Sequence, residues 1–328
     1  MTEQSKITRD DAVAAKDGAS LFERASGAFG FDALTSASVP QNLPEVEKRV
    51  RKEAPKRDFA PQPDAPIQPS AAHSVPRAPA EQAVRIDGWQ KQAIDREQLK
   101  ESGLIIPEAG VTGLLEEFRI VKRELLADAR AGKTAKSRRI QVCSPHPSEG
   151  KTYCALNLAI ALAAERDLEV LLVDADVVKP KIAQRLGLDV ELGLMDALAD
   201  PQIQPEKLVI ETDIDNLFVL PAGTQTARAA EYLASVRTGE VLERLTLGAP
   251  KRIVIFDTPP ALAASAAAEL ASYVGQSVLV ARADETSRAA LEDAQQLLSA
   301  CSDIKLLLNA VQFSPSGRQF GAYGEQEE

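Results

Sequence analysis

The stretch from Arg139 to Glu165, RIQVCSPHPSEGKTYCALNLAIALAAE, admits few folds. Ile140 to Cys143 reads as a short apolar strand, SPHPS as a break, and Glu149-Gly150-Lys151-Thr152 as a loop opening a long helical run. A strand entering a helix through such a loop aims consecutive backbone N–H groups and a helix N-terminus at one point, a concave site for anionic oxygens. Gly150 lets the backbone approach closely, the Lys151 ammonium reaches terminal phosphates, and the Thr152 hydroxyl suits Mg²⁺. The GxxxxGK[ST] pattern is incomplete, because Pro145 stands where its first glycine belongs.

Two more stretches narrow the fold. EVLLVDADVVKP, Glu169 to Pro180, is an unbroken apolar run ending in Asp174 and Asp176, and KRIVIFDTPP, Lys251 to Pro260, is another ending in Asp257. Runs without polar alternation suit parallel strands buried on both faces. Ligands of open parallel sheets sit beyond the carboxyl ends of the strands, where these three carboxylates fall.

The rest of the chain repeats the rhythm. The reading is strand 140–143, helix 151–165, strand 169–174, helix 179–186, a variable region 187–215, strand 217–220, helix 228–247, strand 252–257, helix 261–272, strand 277–281, helix 287–300 and strand 304–310. Such alternation predicts an α/β fold of the P-loop NTPase kind, a mostly parallel sheet with helices on both faces. Ahead of it, Gly113 to Ala131 places Leu114, Leu115, Phe118, Val121, Leu125 and Leu126 at helical spacing. Its charged face, with Glu116, Arg119, Lys122 and Arg123, reads as solvated or as a subunit contact.

Four segments follow. Residues 1–90 hold nine of the twenty prolines between Pro40 and Pro79 and few large apolar residues, so they read as a disordered arm. An apolar cluster near Ala19 to Phe31 reads there as an incidental group or a docking segment. Residues 91–138 form a helical segment packing on the catalytic domain, 139–312 the ATP-binding domain, and 313–328 a mobile tail carrying Tyr323.

Composition excludes several classes. A formal charge of −10 argues against a general nucleic-acid binder. Cys143, Cys154 and Cys301 lie in apolar segments without a CxxC pair, so neither disulfides nor a structural metal are expected. No apolar run reaches the ~18 residues of a membrane span, and the polar N-terminus, with Glu3, Asp10 and Asp11, does not read as a signal peptide. The chain reads as cytoplasmic.

Asp174 and Asp176 share a side if the strand continues through them. Two such carboxylates repel unless a cation or proton lies between them. One would help hold Mg²⁺ while the other accepts a proton from an incoming hydroxyl, and spacing does not say which. Asp257 reads as a metal carboxylate, against the plainer reading of a helix cap. His146 reads as a loop residue. Asn309 would meet an adenine edge or cap a loop, and Arg282 would meet nucleotide or acidic residues of another subunit.

SPHPSEGKT, LLVDADVVKP and IVIFDTPP together resemble the three Walker-type motifs of the bacterial tyrosine kinases, in particular the autokinases of exopolysaccharide and exosortase systems. LPAG, AEYLAS and LLLNAV extend the resemblance over about residues 110–324. It implies Mg-ATP as phosphoryl donor, autophosphorylation in the C-terminal tail, and control of polysaccharide polymerisation or export with a membrane-embedded chain-length regulator at the inner face of the membrane. Residue by residue, it implies nucleotide contacts at Ser148, Glu149, Gly150, Lys151, Thr152, Tyr153, Arg282 and Asn309. Metal contacts fall at Thr152, Asp176 and Asp257, and activation of the acceptor hydroxyl at Asp174. Glu116, Arg119 and Lys122 match an ExxRxxR oligomerisation pattern, with lysine in place of the second arginine and without its bidentate fork. The tail has Tyr323 in place of a tyrosine cluster. Two other functions fit the same motifs: a regulatory ATPase of the MinD and ParA type, and a nucleotide-dependent binding partner of the polysaccharide machinery.

Overall fold

Parallel strands without polar alternation must be covered on both sides, and this requirement shapes the molecule. The structure, a computed structural model, describes residues 90–312. The central strands are β2 (Arg139–Cys143), β3 (Glu169–Asp174), β6 (Arg252–Asp257) and β7 (Gln276–Arg282), and β2 and β6 are buried at every position. They are flanked by β1 (Gln90–Gln92), β4 (Ile210–Thr212) and β5 (Leu217–Leu220) on one side and β8 (Ile304–Asn309) on the other. The order is β1-β4-β5-β3-β6-β2-β7-β8, and every pairing is parallel except β4 with β5.

Helices cover both faces. On one side α1 (Arg96–Glu101), α2 (Gly113–Gly132) and α3 (Lys151–Ala163) build a core with Leu99, Phe118, Leu125, Leu156, Ile160, Ile140 and Val170. Because α3 lies between the sheet and α2, it is apolar nearly all round, as a helix buried on opposite sides must be. Its one buried amide, Asn157, accepts the Ile105 N–H at 2.8 Å and so ties the segment before α2 to the helix that opens the phosphate loop. The other face is closed by α5 (Leu194–Ala199), α6 (Ala229–Leu233), α7 (Val236–Thr246), α8 (Ala266–Ala271) and α9 (Arg288–Leu297), around Phe256, Leu171, Leu245 and Leu270.

Several elements differ from the sequence reading, each for a local reason. The helix expected at 179–186 is only α4 (Ile182–Leu186), because the Lys179 N–H is drawn onto Asp176 and the Lys181 and Ile182 N–H groups onto Asp174. The helix expected at 228–247 breaks into α6 and α7 at Ser235, which is extended and turns its hydroxyl back to the Tyr232 carbonyl. Residues 261–265 do not join α8, since the N–H groups of Ala261 and Leu262 bond the Ser144 and Pro145 carbonyls. β1, with the sequence QKQ, has no apolar periodicity to announce it.

Cys143, Cys154 and Cys301 are buried and free. Among the described residues no helix is long and apolar enough to cross a membrane. The 1–90 arm apart from Gln90, its Ala19–Phe31 cluster, and the 313–328 tail with Tyr323 lie outside the described residues.

Candidate active site

From β2 the chain turns through residues 144–150 before entering α3, and the turn is braced from within. Ser144 Oγ donates to the His146 carbonyl at 2.7 Å. The buried Glu149 carboxylate accepts the His146 N–H at 2.7 Å and the hydroxyl of Thr286, on the loop after β7. From β8, the Asn309 amide donates to the Glu149 carbonyl at 2.9 Å. Ser148 and Gly150 adopt φ of 68° and 97°. A Cβ on Gly150 would stand 2.0 Å from Asn309 Nδ2, so both space and backbone angle demand glycine there. Gly150→Ala is expected to destabilise the fold by ~2 kcal/mol and to weaken ATP binding at least ~10-fold, measured by thermal unfolding and calorimetric titration. Wild-type affinity would show that the loop yields without consequence.

The N–H groups of Lys151, Thr152 and Tyr153 begin α3 and have no carbonyl one turn back. The Cys154 N–H is the first to close, on the Gly150 carbonyl at 2.9 Å. The loop thus presents donors and a positive helix end to one volume.

Strand register brings the carboxylates to the same place. Asp174 lies directly opposite Asp257 across the β3–β6 ladder, and Asp257 pairs with Val142, one residue before the end of β2. Lys151 Nζ lies 2.5 Å from Asp176 Oδ2 and 3.9 Å from Asp257 Oδ1. Burial alone would favour the neutral amine, but the charges of Asp257 and Asp176 outweigh it and raise the Lys151 pKa. Asp257 is fully buried, and neither of its oxygens has a hydrogen-bond partner among the described residues. Burial pushes its carboxyl up to about 6, against the attraction of Lys151.

Asp174 and Asp176 do different work. Asp174 Oδ2 accepts the Lys181 and Ile182 N–H groups, each at 3.0 Å, and its Oδ1 the Asp176 N–H at 3.2 Å, so it shapes the turn into α4. Burial, then the charge of Asp257, raises its carboxyl to about 7. Asp176 lines the open cleft and Asp174 lies behind it. The expectation that Asp174 activates an acceptor hydroxyl therefore meets a carboxylate already engaged by backbone donors.

The cleft, about 440 Å³, is lined by Ser148, Gly150, Lys151, Thr152, Tyr153, Asp176, Lys179, Lys181, Arg185 and Pro260, among others. Behind this lining the buried Asp257 carboxylate, close enough to the Thr152 hydroxyl for that group to depress its pKa, is donor chemistry that fits a hard divalent cation. Among the described residues no three His, Cys, Asp or Glu side chains form a metal site by themselves. Asp257 and Thr152, with Asp176 beside them, would make only part of an oxygen shell, which phosphate and water would have to complete.

Other expected residues lie elsewhere. Asn309 holds the phosphate loop, and Arg282 Nε donates to Glu285 at 2.7 Å. Tyr153 donates its hydroxyl to the Gly103 carbonyl at 3.1 Å. On α2, Arg119 pairs with Glu116 of the same helix. Lys122, expected on a solvated or subunit-facing surface, turns inward to the Ala161 carbonyl at 2.9 Å and to Glu165 at 2.7 Å, because α3 ends beneath it. Sequence reasoning missed Thr286, which no motif marks, and Lys181 and Arg185, which the basic run KPKIAQR behind the paired aspartates announced.

A family model described as an AAA domain (AAA_31) matches residues 138–312. The tyrosine-protein kinase YwqD of Bacillus subtilis is 30% identical over 214 residues, which cover 65% of this chain and 87% of that protein. The tyrosine-protein kinase ptk of Acinetobacter johnsonii is 31% identical over 159 residues, 48% of this chain but only 21% of the longer relative. The kinase domain of the Escherichia coli tyrosine kinase ETK superposes with a TM-score of 0.55 at 24% identity, covering 69% of this chain and 98% of that domain, a likeness of fold.

Proposed function

The chain belongs to the bacterial tyrosine-kinase family, within the AAA-domain P-loop proteins, and from that premise we propose that it is an ATP-dependent autokinase whose acceptor is Tyr323. The observation that carries this reading is the Lys151 ammonium held between Asp176 and Asp257, whose oxygens have no hydrogen-bond partner among the described residues, at the mouth of the phosphate loop. Lys151, the N–H groups of the loop and α3, and the Thr152 hydroxyl hold the triphosphate. Asp257 and Thr152 would hold Mg²⁺, which would supply charge neutralisation on the phosphates, and Asp176 stands beside them. Glu149 and Asn309 keep the loop in shape from behind.

As Lys151 turns to the terminal phosphates, Asp176 is released on the cleft side and takes the proton of the acceptor hydroxyl. The tyrosine oxygen then forms its bond to the γ-phosphorus as the bond to the leaving ADP oxygen breaks. Lys151 neutralises the charge developing on that oxygen. Asp174 positions Asp176 and the α4 turn. The motif resemblance supports Tyr323 as acceptor, and Tyr153, Tyr232 and Tyr273 are partly buried against the cores of the domain.

The motif resemblance supports the wider role, control of exopolysaccharide polymerisation or export beside a membrane-embedded chain-length regulator, with the kinase itself assembling into homo-oligomers on the cytoplasmic side. The test is phosphosite mass spectrometry after incubation with Mg-ATP. Phosphate is expected on Tyr323 and a loss of at least ~100-fold in Tyr323→Phe. Undiminished phosphotyrosine in that variant would remove Tyr323 as acceptor. ATP hydrolysis with no phosphotyrosine would move the protein to the regulatory ATPases.

A further inference from the structure

The chain carries a net charge of −10, yet one wall of its cleft is cationic. Lys179, Lys181 and Arg185 all line the cleft that Lys151 and Asp176 line. None of the three side chains forms an ion pair with a described residue. Lys181 and Arg185 also line an adjoining hollow of about 650 Å³, in which Glu101 of α1 is the one carboxylate. A triphosphate seated at Lys151 already has the ammonium, the loop N–H groups and the N-terminus of α3. Cations that continue past it into a second hollow call for a second anion.

The sequence contains an anion of matching layout. Tyr323 is followed by Gly-Glu-Gln-Glu-Glu, which sets Glu325, Glu327 and Glu328 behind the hydroxyl. An extended chain advances ~3.4 Å per residue, so these carboxylates fall roughly 7 to 17 Å beyond the tyrosine. A tyrosine at Asp176 would bring them along the wall of Lys179, Lys181 and Arg185.

We propose that Lys181 and Arg185, with Lys179, form an acceptor subsite that selects a tyrosine followed by carboxylates, and that its occupant is the Tyr323–Glu328 segment of this chain. The proposal rests on the kinase reading for the reaction and on the cationic wall for the binding, and the two are tested separately. The full chain carrying Tyr323→Phe with Glu325→Gln, Glu327→Gln and Glu328→Gln, so that its own tail carries no acidic side chain, is titrated with fluorescent peptides in the presence of Mg²⁺ and a non-hydrolysable ATP analogue. The peptides are FGAFGEQEE, its all-glutamine counterpart and its all-lysine counterpart.

Exposed ion pairs are individually weak, and three together are expected to favour the acidic peptide ~10-fold over the neutral one. The preference should shrink with added salt. In Lys181→Glu/Arg185→Glu it should invert toward the lysine peptide, an inversion that a misfolded variant would not produce. Equal affinity of the unaltered wall for acidic and neutral peptides overturns the proposal. So does a charge-reversal variant that loses nucleotide affinity while keeping the original peptide order, since the cations would then serve the triphosphate. Charge-ordered binding without phosphate transfer to the tyrosine form of the acidic peptide would sustain the subsite and overturn the kinase reading alone.

Discussion

Lys151→Met is expected to bring Tyr323 phosphorylation down by at least ~100-fold and, separately, to destabilise the ligand-free fold by ~3 kcal/mol. The two losses have one origin. The ammonium is almost wholly buried and lies 2.5 Å from Asp176 and 3.9 Å from Asp257, so it is the cation that makes those buried carboxylates tolerable. A thioether of similar length fills the space and leaves both carboxylates uncompensated. Removing one partner of a buried pair is costly because the other remains. The origin can be checked by a second change. Lys151→Met/Asp257→Asn should recover part of the lost stability in denaturant unfolding and none of the activity. A double variant no more stable than the single one would show that the loss comes from packing and not from stranded charge.

Asp257→Asn is expected to act in opposite directions on activity and on stability. Activity should fall by at least ~100-fold, because this carboxylate belongs to the metal and phosphate end of the site. For stability the sign follows from its titration. The folded carboxyl titrates at about 6 against an ordinary value of 3.8, so between these values the folded state holds the proton more tightly than the unfolded one. The ligand-free protein therefore loses stability as pH rises from about 4 to 6, and the full penalty of ~3 kcal/mol stands above that range. An uncharged amide removes the penalty and adds ~1–2 kcal/mol for burying groups without partners. The variant should thus be at least as stable as wild type at pH 8 and less stable at pH 4.

Asp174, raised by burial and by the charge of Asp257, has the same sign; with that charge removed it should leave a smaller residual slope in the variant, ending at a lower pH than in the wild type. Urea unfolding across pH 4 to 8 reads both effects. A variant with the wild-type slope throughout would mean that Asp257 is not the group whose proton the fold retains. The penalty itself has a functional logic. A carboxylate that no hydrogen bond engages is open to a cation that arrives with the substrate, at the expense of the empty protein.

Much of this was legible in the chain before any coordinates. The strand, loop and helix around Lys151 are local, and so are the apolar runs that end at Asp174 and Asp257, because burial on both faces of a parallel sheet leaves no room for alternation. The loop chemistry of Gly150, Lys151 and Thr152 was equally explicit, being set by neighbours in sequence. Elements with weak or mixed signals were misplaced. The polar β1 forms only because β4 offers it an edge, and the first turn before α8 gives its N–H groups to the Ser144 and Pro145 carbonyls.

Spacing alone left Asp174 and Asp176 interchangeable, and they became distinct only when the N–H groups of Asp176, Lys181 and Ile182 closed onto Asp174, engaging both its oxygens and leaving Asp176 at the cleft. Asn309 and Thr286 reach the phosphate loop across more than 130 residues of chain, and Lys122 finds Glu165 only because α2 packs over the end of α3. Which residue types occur, and in which kind of element, follows from short-range sterics and burial that the amino-acid order carries by itself. Which lone pair, proton or charge faces which neighbour depends on strand register and helix packing, since these interactions extend only a few ångströms and exist only between groups that the finished fold has brought together.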